Sequence, residues 1–208
     1  PLFEKDPDLT WSSNYLANDL ISKVLRNTGK RIIYASSGSV YGNTPGIGTE
    51  SGSVNPLTLY AQTKSLSEEL FLHKDLNSVV FRFATIYGLS PATRYDTIIN
   101  SMTKAAKSGV IKVMGNQKRR SVCHVKDIVM GIKMALESKD PPRLMNLGSN
   151  EQNLTVLEIA QKVASVTGAR IEESPDVSGD NRSYFINYGR AKEWGFTPSY
   201  SIEDGVKE

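Results

Sequence analysis

Apolar residues recur at Leu16, Leu20, Ile21, Val24 and Leu25 in a helical rhythm. The rhythm predicts a helix from Asp8 to Asn27, with Gly29 as its stop. The next stretch, RIIYASS (31–37), is short and apolar nearly throughout, as a strand covered on both faces is. The turn-rich SGSVYGNTPGIGTESGSVNP that follows predicts a long loop. A helix is expected from about Leu59 to Lys74, then a second β-branched and aromatic strand, SVVFRFATIYG. Strands and helices alternating at this spacing argue for a parallel sheet with right-handed crossovers.

After Pro91 the texture changes. A helix from about Tyr95 to Ser108 precedes the short strand VIKVMG, and a loop carries Lys118, Arg119 and Arg120. A helix from Val125 to Glu137 leads into the strand LMNLG. In NLTVLEIAQKVASVTGA, Thr155 is the expected N-cap, Glu158 its capping-box partner and Gly168 the stop. Tyr184–Asn187 reads as a strand, and Ser201 with Glu203 and Asp204 starts a last short helix. There is no internal repeat.

Composition narrows the classes. The 208 residues, 39% of them hydrophobic, suffice for one domain with a core, or one domain plus a small lobe. The net charge of +3 is spread out except for Lys118–Arg120, so no nucleic-acid stripe is present. No apolar run approaches the ~20 residues of a membrane span, and the start has no signal-peptide pattern. Cys123 is the sole cysteine, which excludes an internal disulfide and fits a reducing cytoplasm. His73 and His124 lack companions at metal-ligand spacing, so no metal is expected. The opening PLFEKDPDLTW lacks an initiator methionine and reads as a fragment or a processed chain.

The candidate chemistry starts at LYAQTK (59–64). Residues four apart share a helix face, so Lys64 stands beside Tyr60. A free tyrosine titrates near 10 and is a poor base at neutral pH. A neighbouring ammonium is expected to lower that value and fit the phenol for proton transfer. The competing reading is an amphipathic anchor beside a solvated charge. Ser36 and Ser37 close the strand RIIYASS at the end where parallel sheets bind ligands, so Ser37 is placed to share a substrate oxygen with Tyr60. Serines at a strand end also serve as plain loop caps.

Taken together, IIYASSGSVYG, Glu50, NPLTLYAQTKSLSEE and VVFRFATIYGLSP resemble the extended short-chain dehydrogenase/reductase family. More narrowly, they are similar to NAD-dependent nucleotide-sugar epimerases and dehydratases of the UDP-glucose 4-epimerase type. RRSVCHVKDIVMGIKMAL, LMNLGSNEQNLTVLEIA and GDNRSYFINYGRAKEWGFTP extend the resemblance, in family order, along essentially the whole chain.

The resemblance implies an α/β fold: a Rossmann-like doubly wound parallel sheet without its N-terminal strands, plus a small C-terminal α/β substrate lobe. Residues 1–90 would be the later part of the NAD-binding domain. Residues 91–208 would be mainly the substrate lobe, with about 121–149 returning to the first domain. Ser37, Tyr60 and Lys64 match the catalytic set, the lysine also binding the nicotinamide ribose. Asn14, Ala35, Ser36, Phe83, Ala84 and Ile86 fall on the cofactor side, although Asn14 also fits an ordinary amphipathic helix. Ser39, Thr85, Arg94, Asn100, Lys112, Met114, Arg120 and Asp180 fall on the substrate side. Thr85 departs from the family's usual asparagine.

Where 4,6-dehydratases carry an Asp-Glu pair, this chain has Gly38-Ser39, which favours epimerisation or simple redox chemistry over loss of water. The implied activity is epimerisation of a nucleotide-linked sugar through a transient ketone. A reductase or dehydratase of such a sugar is the alternative, and a non-catalytic sensor or scaffold the alternative of another class. NAD is the implied cofactor, with NADP open. The implied partners are the nucleotide sugar and a second copy, docked through a four-helix bundle that includes the Tyr60 helix. The family's glycine-rich turn has no match, because Gly42, Gly46 and Gly48 are not followed by a helix. The expectation is that on the order of 60–90 residues of the fold are absent, and that the polypeptide as it stands binds dinucleotide poorly.

Overall fold

The computed structural model describes residues 6–43, 46–175 and 183–208. The chain starts with helix α1 (Pro7–Trp11), a π-helical turn (Ser12–Leu16) and α2 (Ala17–Leu25). Strand β1 (Arg31–Ser37) follows, then a 3₁₀ turn (Gly38–Tyr41), the short β2 (Ile47–Gly48), α3 (Leu59–Phe71) and β3 (Asn77–Phe83). Next come β4 (Thr85–Tyr87), α4 (Ile98–Ala106), β5 (Val110–Met114), β6 (Arg119–His124), α5 (Val125–Glu137) and β7 (Leu144–Leu147). The rest is β8 (Asn153–Thr155), α6 (Val156–Thr167), β9 (Arg170–Ser174), β10 (Phe185–Ile186), α7 (Gly189–Glu193) and α8 (Ile202–Lys207).

β1, β3 and β7 form a parallel sheet in the order β1-β3-β7, with Ser37 opposite Phe83 and Phe83 opposite Leu147. One face packs Tyr34 and Val80 against Phe71 of α3 and Leu76. The other packs Val79, Phe81, Met145 and Leu147 against Ile128 and Ala135 of α5, joined by Ile186, Tyr188 and Phe196. Helices on both faces of a parallel sheet make the fold Rossmann-like, and explain why these strands are apolar on both sides. A second core gathers Ile99 and Met102 of α4, Ile111 and Val113 of β5, Val122 of β6, and Val156, Ile159 and Val163 of α6. There β6 pairs parallel with β4 and antiparallel with β8, while β5 pairs with β9.

Several local expectations change. The stretch SVVFRFATIYG is two strands in two sheets. The Ala84 amide donates to the Leu147 carbonyl at 3.0 Å, and the chain then leaves β3 to pair with β6. The expected long loop after Ser37 contains the buried 3₁₀ turn and β2, which pairs with β10. Helix α3 stops at Phe71, before Lys74. Helix α4 spans 98–106, because Arg94 and Asp96 are folded onto each other ahead of its cap at Thr97. The first helix ends at Leu25; Asn27, at φ 57°, already turns the chain ahead of Gly29.

The larger surprise is which side of α1–α2 is buried. Thr10 and Ser22 are buried, and Asn18 bonds to Ser67 of α3. Of the apolar rhythm, Leu25 packs against the Tyr34, Phe71 and Val80 cluster, while Leu16 is 49%, Leu20 63%, Ile21 44% and Val24 67% exposed. Side-chain hydrogen bonds from Asn18 and Ser67 link this segment to α3. The capping box at Thr155 and Glu158 forms as expected, with Gly168 at φ 72° closing α6.

Candidate active site

The C-terminal ends of β1 and β3 and the start of α3 converge. The Thr58 hydroxyl caps α3 by accepting from the Ala61 amide at 3.2 Å, which fixes Tyr60 in the first helical turn. Ser37 ends β1 extended and accepts from the Ser39 amide at 3.1 Å. Its hydroxyl lies beside the Tyr60 phenol and favours the phenolate. One turn along α3, the Lys64 ammonium donates to the Ala35 carbonyl at 2.8 Å. It lies 5.7 Å from the Tyr60 ring centroid and 5.1 Å from that of Tyr34.

The electrostatics differ from the sequence expectation. Burial pushes the Tyr60 phenol above its ordinary value, more than the Ser37 hydroxyl and the charge of Arg94 pull it down; Tyr184 adds to the rise. Burial also pushes the Lys64 ammonium below its ordinary value. That ammonium donates to the Ala35 carbonyl while standing over the Tyr60 ring.

A cleft of about 840 Å³ opens at this edge of the sheet. Ser37, Tyr60, Phe83, Ala84, Thr85 and Ile86 line it, together with Arg94, Asn100, Lys112, Met114 and Arg120. Ser39 also lines it; its buried hydroxyl has no hydrogen-bond partner among the described residues.

Other candidates have different duties. Ser36 reaches the cleft, but its hydroxyl donates to Glu68. Ala35 contributes its carbonyl to Lys64. Asn14 lies in the π-helical turn, and its carbonyl accepts from Ser67 at 2.8 Å and from Asn18 at 2.6 Å. Asn100 braces the loop before α4, accepting from the Gly88 amide and donating to the Arg94 carbonyl. Arg94 forms a two-point pair with Asp96 at 3.0 and 2.7 Å. Asp180 lies outside the described residues. Among those described, no cluster of metal-ligating side chains occurs and no helix is long and apolar enough to cross a membrane.

Sequence reading missed a buried network behind the site. Glu68 is paired with Arg82, Arg82 donates to the Tyr41 hydroxyl at 3.0 Å, and Tyr41 donates to Asn146 at 2.8 Å. The available signal was Arg82 itself, a charge inside an otherwise apolar strand.

A model of the NAD dependent epimerase/dehydratase family matches residues 2–148. The chain is 28% identical over 187 residues to the uncharacterized UDP-glucose epimerase YtcB of Bacillus subtilis (strain 168), covering 84% of this chain and 57% of that protein. It is 26% identical to methionine adenosyltransferase 2 subunit beta of Bos taurus, covering 99% of this chain and 64% of that one. The chain thus spans about three fifths of these relatives' length. Among solved structures, MoeE5 in complex with UDP-glucuronic acid and NAD matches with TM-score 0.78 and 28% identity, over 93% of this chain and 68% of that one. A family model that covers most of the chain, on a sheet whose strand ends gather Ser37, Tyr60 and Lys64, leads to one conclusion: the chain belongs to the NAD dependent epimerase/dehydratase family.

Proposed function

We propose that this chain carries the proton-transfer and substrate-facing part of an NAD-dependent epimerase of a nucleotide-linked sugar. The observation that carries this is the placement of Ser37 and Tyr60 together on the wall of a cleft large enough for such a sugar, with Lys64 one helical turn on. Tyr60 would take the proton of a ring hydroxyl and later return it, while Ser37 orients that hydroxyl. NAD, when bound, supplies the hydride acceptor and donor at the sugar carbon.

The residues present fit the nicotinamide and ribose end of that cofactor. Lys64 uses one N–H on Ala35, and an ammonium has three, which leaves donors for a ribose diol. Phe83, Ala84 and Ile86 offer an apolar floor beside Tyr60. Lys118 and Arg120 bring positive charge to the same cleft, suited to a diphosphate. MoeE5, crystallised with UDP-sugars, supports a nucleotide sugar as substrate.

Epimerisation is favoured over dehydration by the wall at Gly38. A Cβ there would lie 2.6 Å from Ile186 Cδ1 and 3.2 Å from the Phe83 carbonyl oxygen, so the position is closed to a carboxylate side chain unless both give way. Ser39 next to it carries no acid. A homodimer through the α1–α2 and α3 helices fits the outward apolar stripe, and a cytoplasmic setting fits the lone buried Cys123.

The test is Tyr60→Phe in the full-length protein, assayed with UDP-glucose and UDP-glucuronic acid. Loss of about 10²–10⁴-fold in turnover supports the reading. Undiminished epimerisation overturns it, and net NAD(P)H consumption or loss of water by the wild type points to the reductase or dehydratase alternative. Wild type that binds both sugars and turns over neither would favour a scaffold, the role most easily reconciled with the subunit relative.

A further inference from the structure

We propose that Glu68, through a buried clamp on Ser36 and Arg82, is the positioning residue that seats the Ser37 hydroxyl on Tyr60. The proposal rests on Tyr60 being the acid/base of the site.

Tyr60 and Ser37 belong to different elements, so the placement of the Ser37 hydroxyl against the phenol depends on how α3 lies against β1. Large apolar side chains usually set such a pose. Here the buried residues of α3 are Ala61, Thr63, Ser67, Glu68 and Phe71, and only Phe71 is a large apolar side chain. The pose is held by polar contacts instead. Glu68, two turns beyond Tyr60, is 3% exposed, and its carboxylate accepts from Ser36 and Arg82. Arg82 Nε lies 3.0 and 3.1 Å from the two carboxylate oxygens, and its Nη2 2.7 Å from Oε2.

Ser36 and Arg82 are directly opposite each other in the β1–β3 register. Glu68 therefore pins the helix to both strands at one point, immediately before Ser37 on one strand and Phe83 on the other. Arg82 extends the hold to Tyr41, in the turn that follows Ser37. A buried ion pair is no more stabilising than an apolar pair of similar volume, but it demands one geometry. At a site where a 1 Å misplacement costs about 100-fold in rate, that demand has a use.

The readout is the titration of the Tyr60 phenol, taken as the tyrosinate absorbance difference between each protein and the same protein carrying Tyr60→Phe. Ser37 and Tyr34 of β1, Lys64 on the same helix, Arg94 from the loop before α4 and Tyr184 before β10 face this phenol. Ser37 adjoins Ser36 of the clamp, while Lys64 shares the helix with Glu68, so the Ser37→Ala background separates the two routes. The variants are Ser36→Ala, the charge-free Glu68→Leu/Arg82→Met, and each combined with Ser37→Ala.

The expected result is a midpoint moved to higher pH in Ser36→Ala, and further in the double variant, because the Ser37 hydroxyl is no longer held where it favours the phenolate. Both shifts vanish in the Ser37→Ala background. Melting temperatures stay within a few degrees of wild type, since both partners of the pair are removed together. An unmoved midpoint overturns the proposal, and so does a shift that persists without Ser37. If the double variant fails to fold, Ser36→Ala, which leaves the ion pair intact, decides alone. Full turnover by Tyr60→Phe would instead sink the acid/base reading, a result the titration does not produce.

Discussion

The Lys64 ammonium donates to the Ala35 carbonyl at 2.8 Å, across the gap between α3 and the end of β1. Ala35 itself is exposed, so water can replace the lysine at that carbonyl. Lys64→Met is therefore expected to leave the melting temperature nearly unchanged. Its cost falls on the cofactor: losing charged hydrogen bonds to a ribose diol weakens NAD binding by about 10–100-fold. Calorimetric titration of NAD into full-length protein checks this. Equal affinity in the variant would remove Lys64 from the cofactor site.

Arg94 acts on Tyr60 by charge at a distance. Its field favours the phenolate, while its own guanidinium is pinned to Asp96. In Arg94→Gln the Tyr60 phenol moves still higher, so the rising limb of the rate–pH profile moves to higher pH. Arg94 is exposed, so added salt shrinks the difference between variant and wild type. A profile that is unmoved at low ionic strength contradicts this coupling.

Tyr34 makes the fold sensitive to alkali. Burial pushes its phenol up to about 12, against 10.0 for a free tyrosine. The unfolded chain starts to lose the proton near pH 10, while the folded chain keeps it. The contribution to stability is thus full below pH 10 and is lost as pH rises toward 12, about 3 kcal/mol in all. Tyr34→Phe should flatten this loss, seen as a smaller drop in urea midpoint between pH 9 and pH 11 than wild type shows.

The outward stripe of α2 predicts an assembly. Leu20→Lys with Val24→Lys places two charges where an apolar partner surface would lie, and both side chains are exposed in the single chain. The expected outcome is a lower mass by light scattering with an unchanged circular dichroism spectrum. A monomeric wild type would remove the premise.

Much of the fold was legible because its signals are local. The caps of α6, the limits of α5 and the apolar runs of β1 and β7 depend on neighbours in sequence, and they formed where expected. The meeting of Ser37 and Tyr60 was legible too, through a strand end and a helix start joined by a loop long enough to return. What was hidden depends on distant partners. Nothing local says that Leu20 and Val24 face away from the sheet, because an amphipathic rhythm marks a face without saying what covers it. The same holds for Lys64, whose neighbour in sequence is Tyr60 but whose acceptor is a carbonyl on another strand. Asn100 and Ser36 are polar residues at the cleft whose hydrogen bonds are already committed to the scaffold, which spacing alone does not show.

The change of sheet at Ala84 has a consequence for how the cleft keeps its dimensions. Phe83 belongs to the strand beside Ser37, and Thr85 to a strand of the neighbouring sheet, with a single residue between them. The step along the cleft wall from Phe83 to Thr85 is therefore set by covalent bonds. Thermal loosening of either hydrophobic core can tilt the far walls, where Lys112 and Arg120 stand, without lengthening that step. The cleft behaves as a jaw with a fixed corner, so mutations in the distant core should displace the walls at Lys112 and Arg120 before they displace the corner at Phe83 and Thr85.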